Sequence, residues 1–397
     1  MRVTVYFNSS YPYGVASTNR VHQLCKGLQN NEVDVELLIT NPTESDPDTL
    51  NKQVRGTFEG VKFKYLSKTT LRPQGLFRRK AKDILCYFRT YNHLIFSAKD
   101  SDAIIVIGGA TFDFRILIPL LARLINKNIY LEINEYPFVT RKDGLRKSFM
   151  QFFFFRFVVP CYNGFIVISE ALGKEISNFK SKTARIIKIP ILSEIVKANE
   201  PDSFPPYTVP YIFHAGSLIE QKDGIIGSLK AFAKAIKEYG VNSLYLFAGN
   251  PDASPDIDKI NKIIHNENLE GSVIFTGYLD KNRLAYYYRH ASFAIINKSR
   301  NKQNEYGFAT KISEYIAFGI PIIVTQVGEM SNYFKNGFNA LIVEPDNIDQ
   351  IAQAIAKLTN DRKSAETLAS NAFSLLETEF NSSLNGARLR DFLTNRS

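Results

Sequence analysis

Short apolar runs alternate with amphipathic stretches along almost the whole chain, and the alternation predicts its elements. In the first half Val3–Phe7 reads as a strand and Ser17–Gln29 as a helix with Ser17 at its N-cap. Val33–Thr40 is a strand stopped by Asn41-Pro42, and Val61–Tyr65 is another, followed by a basic helical stretch. Ala103–Ile107 is a strand ending in Gly108-Gly109, and Phe114–Ile125 is an apolar helix. Ile129–Ile133, Arg146–Val158 and Gly164–Ile168 read as strand, helix and strand. Strands that alternate with helices form parallel βαβ units in a doubly wound sheet.

A polar, proline-rich run from Asn199 to Pro206 interrupts the pattern and reads as a linker. The alternation then restarts. Strands are expected at Tyr211–His214, Ser243–Phe247, Val273–Thr276, Phe293–Ile296, Pro321–Val324 and Ala340–Val343, and the chain is mostly helical from Asn347 onward. The expected organisation is a Rossmann-like domain over 1–195, a linker over 196–209 and a second Rossmann-like domain over 210–381. The C-terminal helix, about 382–397, is free to pack back on the first domain. Two such domains make a natural cleft, and ligands of doubly wound sheets bind beyond the carboxyl ends of the strands.

Length and composition agree with this picture. The 397 residues, 45% hydrophobic and 22% charged, exclude a disordered chain, a collagen-like one and a disulfide-stapled miniprotein. Cys25, Cys86 and Cys161 are far apart and form no CxxC, which points to a reducing compartment and away from a cysteine-based zinc site. The five histidines, His22, His93, His214, His265 and His290, show no ligand spacing. The longest apolar run, Phe149 to Tyr162, is too short for a bilayer span, and the first strand is too short for a signal sequence, so a cytoplasmic protein is expected. Charge changes the picture more. The net +10 is concentrated in residues 1–200, which carry +11, against −1 for the rest. Ten basic residues and one acid, Asp83, lie between Lys62 and Lys99, with Phe77, Tyr87, Phe88, Tyr91 and Phe96 among them. Such a stretch suits an anionic membrane surface or a solvated helix face. Nucleic acid ranks below the membrane, because no nucleic-acid motif accompanies the charge.

Three segments after strands can carry chemistry. The loop from Asn8 to Thr18 contains Gly14 and leads into a helix, whose free N–H groups can receive an anion, although no GxGxxG is present. A plain βα turn is the alternative. The segment from His214 to Gly224 places Lys222 near a helix start, a phosphate-binding arrangement that lacks the Walker GK[ST]. An exposed lysine is the alternative there. In the third, Thr310–Phe318 reads as a short helix closed by Gly319 and Pro321, with Lys311 and Glu314 on one face. The carboxylate of Glu314 can accept hydrogen bonds from two vicinal sugar hydroxyls, or it can form a surface pair with Lys311.

Together these segments resemble the glycosyltransferases of family 4, also called group 1, with the GT-B fold. The resemblance runs through Gly14 before its helix, Asn163–Glu170, Gly216–Gly224, Leu246–Asn250, Val273–Tyr278, Lys311–Pro321 and Asn339–Pro345. The Lys311–Pro321 segment is very like the family's K-x-x-E-Y-x-A-x-G-x-P signature. The resemblance implies a retaining transferase that uses a nucleotide-diphosphate sugar and requires no metal or other cofactor. It implies that Gly14 offers an N–H to the donor diphosphate and that Lys222 neutralises charge on the departing phosphate. Gly216 and Ser217, in the same loop as Lys222, and Lys311, in the signature segment, are expected among the donor-binding residues. Gly277 and Tyr278 are implied to flank the nucleobase, Glu314 to hold the ribose, and the amides of Phe308, Ala309 and Thr310 to face sugar and phosphates.

The family's arginine after the loop glycine is Ser217 here, and the position eight before Glu314 is Tyr306, with Glu305 beside it. Where the family often carries histidine after the fifth strand, this chain has Glu132 to Pro137, and Glu135 either faces the reaction or caps the strand end. The expected function is transfer of a sugar to a lipid-linked or surface-polysaccharide acceptor, at the inner face of an anionic cytoplasmic membrane. A nucleotide-sugar epimerase of GT-B architecture and a catalytically inactive sugar-nucleotide-binding homologue are the alternatives.

Overall fold

The apolar runs of the first half form the strands of one sheet. A computed structural model describes residues 1–14, 16–45, 49–107, 112–138, 144–193 and 207–395, with the side chains of residues 112–116 left aside. It divides into two units, Met1–Leu192 with Asn381–Ser397, and Ser193–Phe380. The N-terminal unit runs β1 (Arg2–Phe7), α1 (Ala16–Gln29), β2 (Asp34–Ile39), β3 (Arg55–Phe58), β4 (Val61–Tyr65), α2 (Leu76–Phe96), β5 (Ala103–Ile107), α3 (Phe112–Leu124), β6 (Asn128–Ile133), α4 (Leu145–Phe153), β7 (Gly164–Val167), α5 (Glu170–Ser177) and β8 (Arg185–Lys188). The strand order is β3-β4-β2-β1-β5-β6-β7-β8, parallel except for the β3–β4 pair. β5 is AIIVI and buried throughout, as a strand covered on both faces must be.

Two of these strands lie outside the sequence-based expectation, and both are weakly patterned. β3, RGTF, has no buried residue, and β8, RIIK, is half-buried along its length. The helix expected over Arg146–Val158 is α4 followed by a π-helical turn, Phe154–Val158. α1 begins at Ala16, so Ser17 lies inside its first turn instead of capping it. Gly108-Gly109 and residues 196–206 of the expected linker lie outside the described residues.

The second unit runs β9 (Tyr211–Ala215), α6 (Glu220–Asp223), α7 (Ile225–Tyr239), β10 (Leu244–Ala248), α8 (Ile257–Asn266), β11 (Val273–Gly277), α9 (Lys281–His290), β12 (Ala294–Ile296), α10 (Lys302–Tyr306), α11 (Lys311–Ala317), β13 (Ile322–Thr325), α12 (Met330–Tyr333), β14 (Leu341–Val343), α13 (Ile348–Asn360) and α14 (Arg362–Glu377). β11-β10-β9 and β12-β13-β14 are parallel, and a bridge between Ile212 and Phe293 joins the two sets. Phe232, Tyr245, Phe247 and Ile355 are fully buried in its core. The chain then returns to the N-terminal unit as α15 (Ser382–Thr394), which packs on α1. The two helices touch at glycines: a Cβ on Gly386 would lie 2.0 Å from the Gly27 carbonyl oxygen, so any side chain there would push the helices apart.

Candidate active site

At the carboxyl ends of the second unit's strands, several charges meet that are remote in sequence. His214 is buried near the end of β9, and Lys311, at the start of α11, reaches it: Nζ lies 3.3 Å from His214 Nε2. Lys311 Nζ also donates to Asp223 Oδ1 at 2.8 Å, and Ser217 Oγ donates to the other oxygen, Oδ2, at 3.3 Å. Burial, and then the Lys311 charge, pull the His214 imidazole down to about 3, so it is neutral near pH 7. A lysine only donates, so Nε2 is the acceptor and the proton sits on Nδ1. Burial by itself raises the Asp223 carboxyl, but the charge and hydrogen bond of Lys311, with the charges around it, together outweigh burial and hold the group well below the usual carboxylate range.

A second cation arrives from β12. Lys298 follows the strand end, and its Nζ donates to the Lys222 carbonyl at 3.1 Å and to Asn304 Oδ1 at 2.9 Å. Its neighbour Asn297 donates from Nδ2 to the Gly224 carbonyl at 2.9 Å. That approach requires glycine: Gly224 has φ 60°, and a Cβ there would sit 2.1 Å from the Asn297 carbonyl oxygen. Gly224 also ends α6, so Lys222 lies in a separate four-residue helix and not in the first turn of α7. The start of α7 is already served by an anion, since Glu220 Oε2 accepts from the Ile226 N–H at 2.6 Å. The phosphate site expected from helix N-terminal amides near Lys222 is therefore filled by a carboxylate, and the positive charge comes from lysine side chains.

Glu314, on α11, is not paired with Lys311 as a surface pair would be. Its Oε2 accepts from Tyr288 Oη at 2.9 Å. Burial, followed by the Glu314 charge, raises the Tyr288 phenol far above its ordinary value, so Tyr288 is a fixed donor. Just before α11, the N–H groups of Phe308, Ala309 and Thr310 donate to no acceptor among the described residues. The Phe308 ring anchors this stretch by stacking on Tyr333, with centroids 5.2 Å apart. Donors, cations and a carboxylate suit a ligand that combines phosphates with hydroxyls. Among the described residues no group of three His, Cys, Asp or Glu side chains could hold a metal ion.

Residues 196–374 match the model of the family described as glycosyl transferases group 1. This segment is similar to the group 1 glycosyl transferases. An uncharacterized glycosyltransferase of Methanocaldococcus jannaschii is 26% identical over 161 residues, 41% of this chain and 38% of its own. The poly(glycerol-phosphate) alpha-glucosyltransferase of Bacillus subtilis is 24% identical over 162 residues, 41% of this chain and 22% of its own. The chain thus spans well under two thirds of these relatives. Solved structures match over nearly the whole length. Sucrose-phosphate synthase from Thermosynechococcus elongatus superposes with a TM-score of 0.71 at 17% identity, covering 99% of this chain and 98% of that one. HepE of Anabaena, solved with UDP and glucose, gives 0.70 at 13% identity, covering 99% of both chains. The fold is GT-B, with two Rossmann-like units.

Within the matched segment the geometry brings Gly216, Ser217, Lys222, Lys311 and the Phe308–Thr310 stretch around α6 and the start of α11. A Cβ on Gly216 would lie 2.6 Å from Lys311 Nζ. Gly277 joins them through the strand ends: Gly216 N–H donates to Ala248 and Gly249 N–H to Gly277. Tyr278, next to it, presents an exposed ring. Glu305 turns toward another loop, where its Oε2 accepts from the Gly328 N–H at 3.3 Å and its Oε1 is 3.5 Å from Arg300. Gly14 and Glu135 belong to the N-terminal unit, where both are exposed. The Gly14 loop is tied down by Thr18 Oγ1, which donates to the Ser10 carbonyl at 2.7 Å. Sequence reasoning passed over Asp223, Lys298, Asn304 and Tyr288. Only the Asn297-Lys298 step directly after a strand was available as a signal.

Proposed function

We propose that the chain transfers a sugar, with retention at the anomeric carbon, from a nucleotide-diphosphate sugar to a lipid-linked or surface-polysaccharide acceptor. The observation that carries this reading is the gathering of the Lys298 and Lys311 ammonium groups around α6, the helix of Lys222, beside the open amides of Phe308–Thr310. A diphosphate leaving group gains negative charge as the bond to the sugar breaks, and pre-placed ammonium groups stabilise that charge without a metal. In this reading Lys222 is the catalytic cation, and Gly216, Ser217 and Lys311 line the phosphate loop. Glu314, oriented by Tyr288, holds the ribose hydroxyls, and Gly277 and Tyr278 flank the base. Gly14 offers its N–H to the donor diphosphate, as the family resemblance implies, and Glu135 and Glu305 are the acidic candidates for the reaction centre. A relative named as a poly(glycerol-phosphate) alpha-glucosyltransferase supports a polymer as the acceptor class. The reading places the protein in the cytoplasm, peripheral on the inner face of an anionic membrane. The free cysteines and the excess of positive charge in the first half support that location.

The test is a panel of nucleotide sugars in thermal-shift measurements, followed by product analysis with the donor that binds. A bound donor stabilises the fold by about 2.7 kcal/mol at a hundred times its Kd, and Glu314→Gln should weaken that binding about tenfold. No shift with any nucleotide sugar overturns the reading. A free epimerised sugar as the product replaces transfer with epimerisation.

A further inference from the structure

Three helices of the N-terminal unit carry a second apolar stripe, turned away from their own sheet. α2 buries Cys86, Thr90 and Leu94. Phe77, Ile84, Phe88 and Phe96 are exposed on its other side, Phe77 by 85% and Phe88 by 68%. At 100° per residue these four share about a third of the helix circumference, roughly opposite the buried stripe. α3 exposes Leu117, Leu120 and Leu124, at i, i+3 and i+7. α4 exposes Leu145, Phe149 and Phe152, at i, i+4 and i+7, and Leu145 is 93% exposed. Phe154 and Phe155 are buried in the π-helical turn, so the phenylalanine run splits between core and surface.

The topology puts the three stripes on one face. The connections β4 to β5, β5 to β6 and β6 to β7 all step the same way along the strand order, whereas β1 to β2 steps the other way. Right-handed crossovers therefore place α2, α3 and α4 together, on the side of the sheet opposite α1. α2 packs on α3, and Arg123 of α3 donates to the Pro160 carbonyl beyond α4 at 3.0 Å. Cations accompany the rings: Arg78, Arg79 and Lys80 in the first turns of α2, Arg123 on α3, and Arg146 and Arg156 around α4 are all exposed. The one acid of α2, Asp83, accepts from Asn41 Nδ2 at 2.9 Å, Asp113 lies in the first turn of α3 ahead of its exposed leucines, and residues 117–124 and 145–158 contain none.

We propose that this face docks on an anionic lipid bilayer, with its rings and leucines in the headgroup–acyl boundary and its arginines and lysines on the lipid phosphates. Exposed apolar side chains interleaved with cations, and almost no acid, are the complement of such a surface. A second copy of the chain fits worse, because a twofold contact sets the patch against itself and brings cation against cation. The inference rests on the proposed function only for its purpose, which is to bring the enzyme to a lipid-linked acceptor.

The chain has no tryptophan, so a single one reports its own site. Phe88→Trp and Phe149→Trp are mixed with vesicles of phosphatidylglycerol and phosphatidylcholine, or of phosphatidylcholine alone. Tyr239→Trp, on α7, serves as the control. The expected result is co-sedimentation with anionic vesicles only, lost at high salt as the Debye length shrinks. A blue shift and quenching by brominated acyl chains are expected for the two phenylalanine sites and not for Tyr239→Trp. The triple variant Arg78→Gln, Arg79→Gln, Lys80→Gln should partition on the order of a hundredfold more weakly, about fivefold per charge. Failure to sediment with anionic vesicles at low salt overturns the proposal. Sedimentation without a shift at positions 88 and 149 overturns this face, and a vesicle-excluding dimer assigns it to self-association instead. These readouts are independent of sugar transfer. A chain that docks but binds no nucleotide sugar refutes sugar transfer alone, and one that binds a donor but not vesicles refutes the docking and the membrane location while sugar transfer stands.

Discussion

Positive charge is used in two different ways in the two units. In the N-terminal unit Arg78, Arg79, Lys80 and Arg146 stand exposed on helices, where water and salt screen them and each one matters little to folding. In the second unit Lys311 is largely covered and fixed between a buried carboxylate and a buried imidazole, and Lys298 is held by a carbonyl and an amide. Many weakly held charges give a surface whose attraction is additive and salt-dependent. A few tightly held ones give a site in which each group is set by its neighbours, so that removing one strands another.

The largest expected effect follows from that difference. Lys311→Met leaves Asp223, almost wholly buried, without its ammonium, which should cost about 3 kcal/mol of stability in urea denaturation. Adding Asp223→Asn should recover much of the loss, because the stranded charge is gone. Arg79→Gln, on the exposed helix, should stay within about 0.5 kcal/mol of wild type. Equal costs for Lys311→Met and Arg79→Gln would erase the distinction between the units.

Next comes Lys222→Ala, which separates chemistry from folding inside the second unit. Lys222 is half-exposed in α6, and it is its backbone carbonyl that Lys298 uses, a contact that alanine keeps. Turnover should fall at least about a hundredfold, the scale of losing one charge-stabilising donor, with little change in unfolding. Activity within a few-fold of wild type would assign the departing phosphate to Lys298 or Lys311.

How far the sequence reached follows the same division. The alternation of strands and helices, the basic helix α2 and the K-x-x-E segment are local patterns, and each lies where the pattern put it, within a few residues. The pairings of the site are not local. Lys311 meets Asp223 across 88 positions and His214 across 97, and Glu314 meets Tyr288 across 26. The spacing of Lys311 and Glu314 suggested a pair on one helix face, but both found stronger partners that only the tertiary fold supplies. The outward stripe of α2 was visible as interleaved rings and charges. That α3 and α4 extend it depends on strand order, which no window of sequence contains.

The smallest effect is one of pH, and it tests whether the buried cluster behaves as a unit. The His214 imidazole is lowered to about 3, first by burial and then by Lys311, against about 6.5 in an unfolded chain. The unfolded state therefore binds a proton that the folded state refuses. The resulting stability is fully present above about pH 6.5 and is lost as pH falls from there toward 3, at up to about 1.4 kcal/mol per pH unit. Between pH 7.5 and 5 the His214 share of the loss should be about 2 kcal/mol, while the Glu220 carboxyl, raised by burial, works in the opposite direction. His93 of the N-terminal unit is also lowered by burial, so part of any acid sensitivity belongs there. His214→Asn removes only the second unit's share, and its stability–pH curve over that window should be flatter than the wild type's. Parallel curves would mean that His214 takes up its proton in the folded state, which requires Lys311 to move away from it. The close approach of Lys311, His214 and Asp223 would then not persist in solution, and the contrast between a fixed site and a screened surface would fail at its centre.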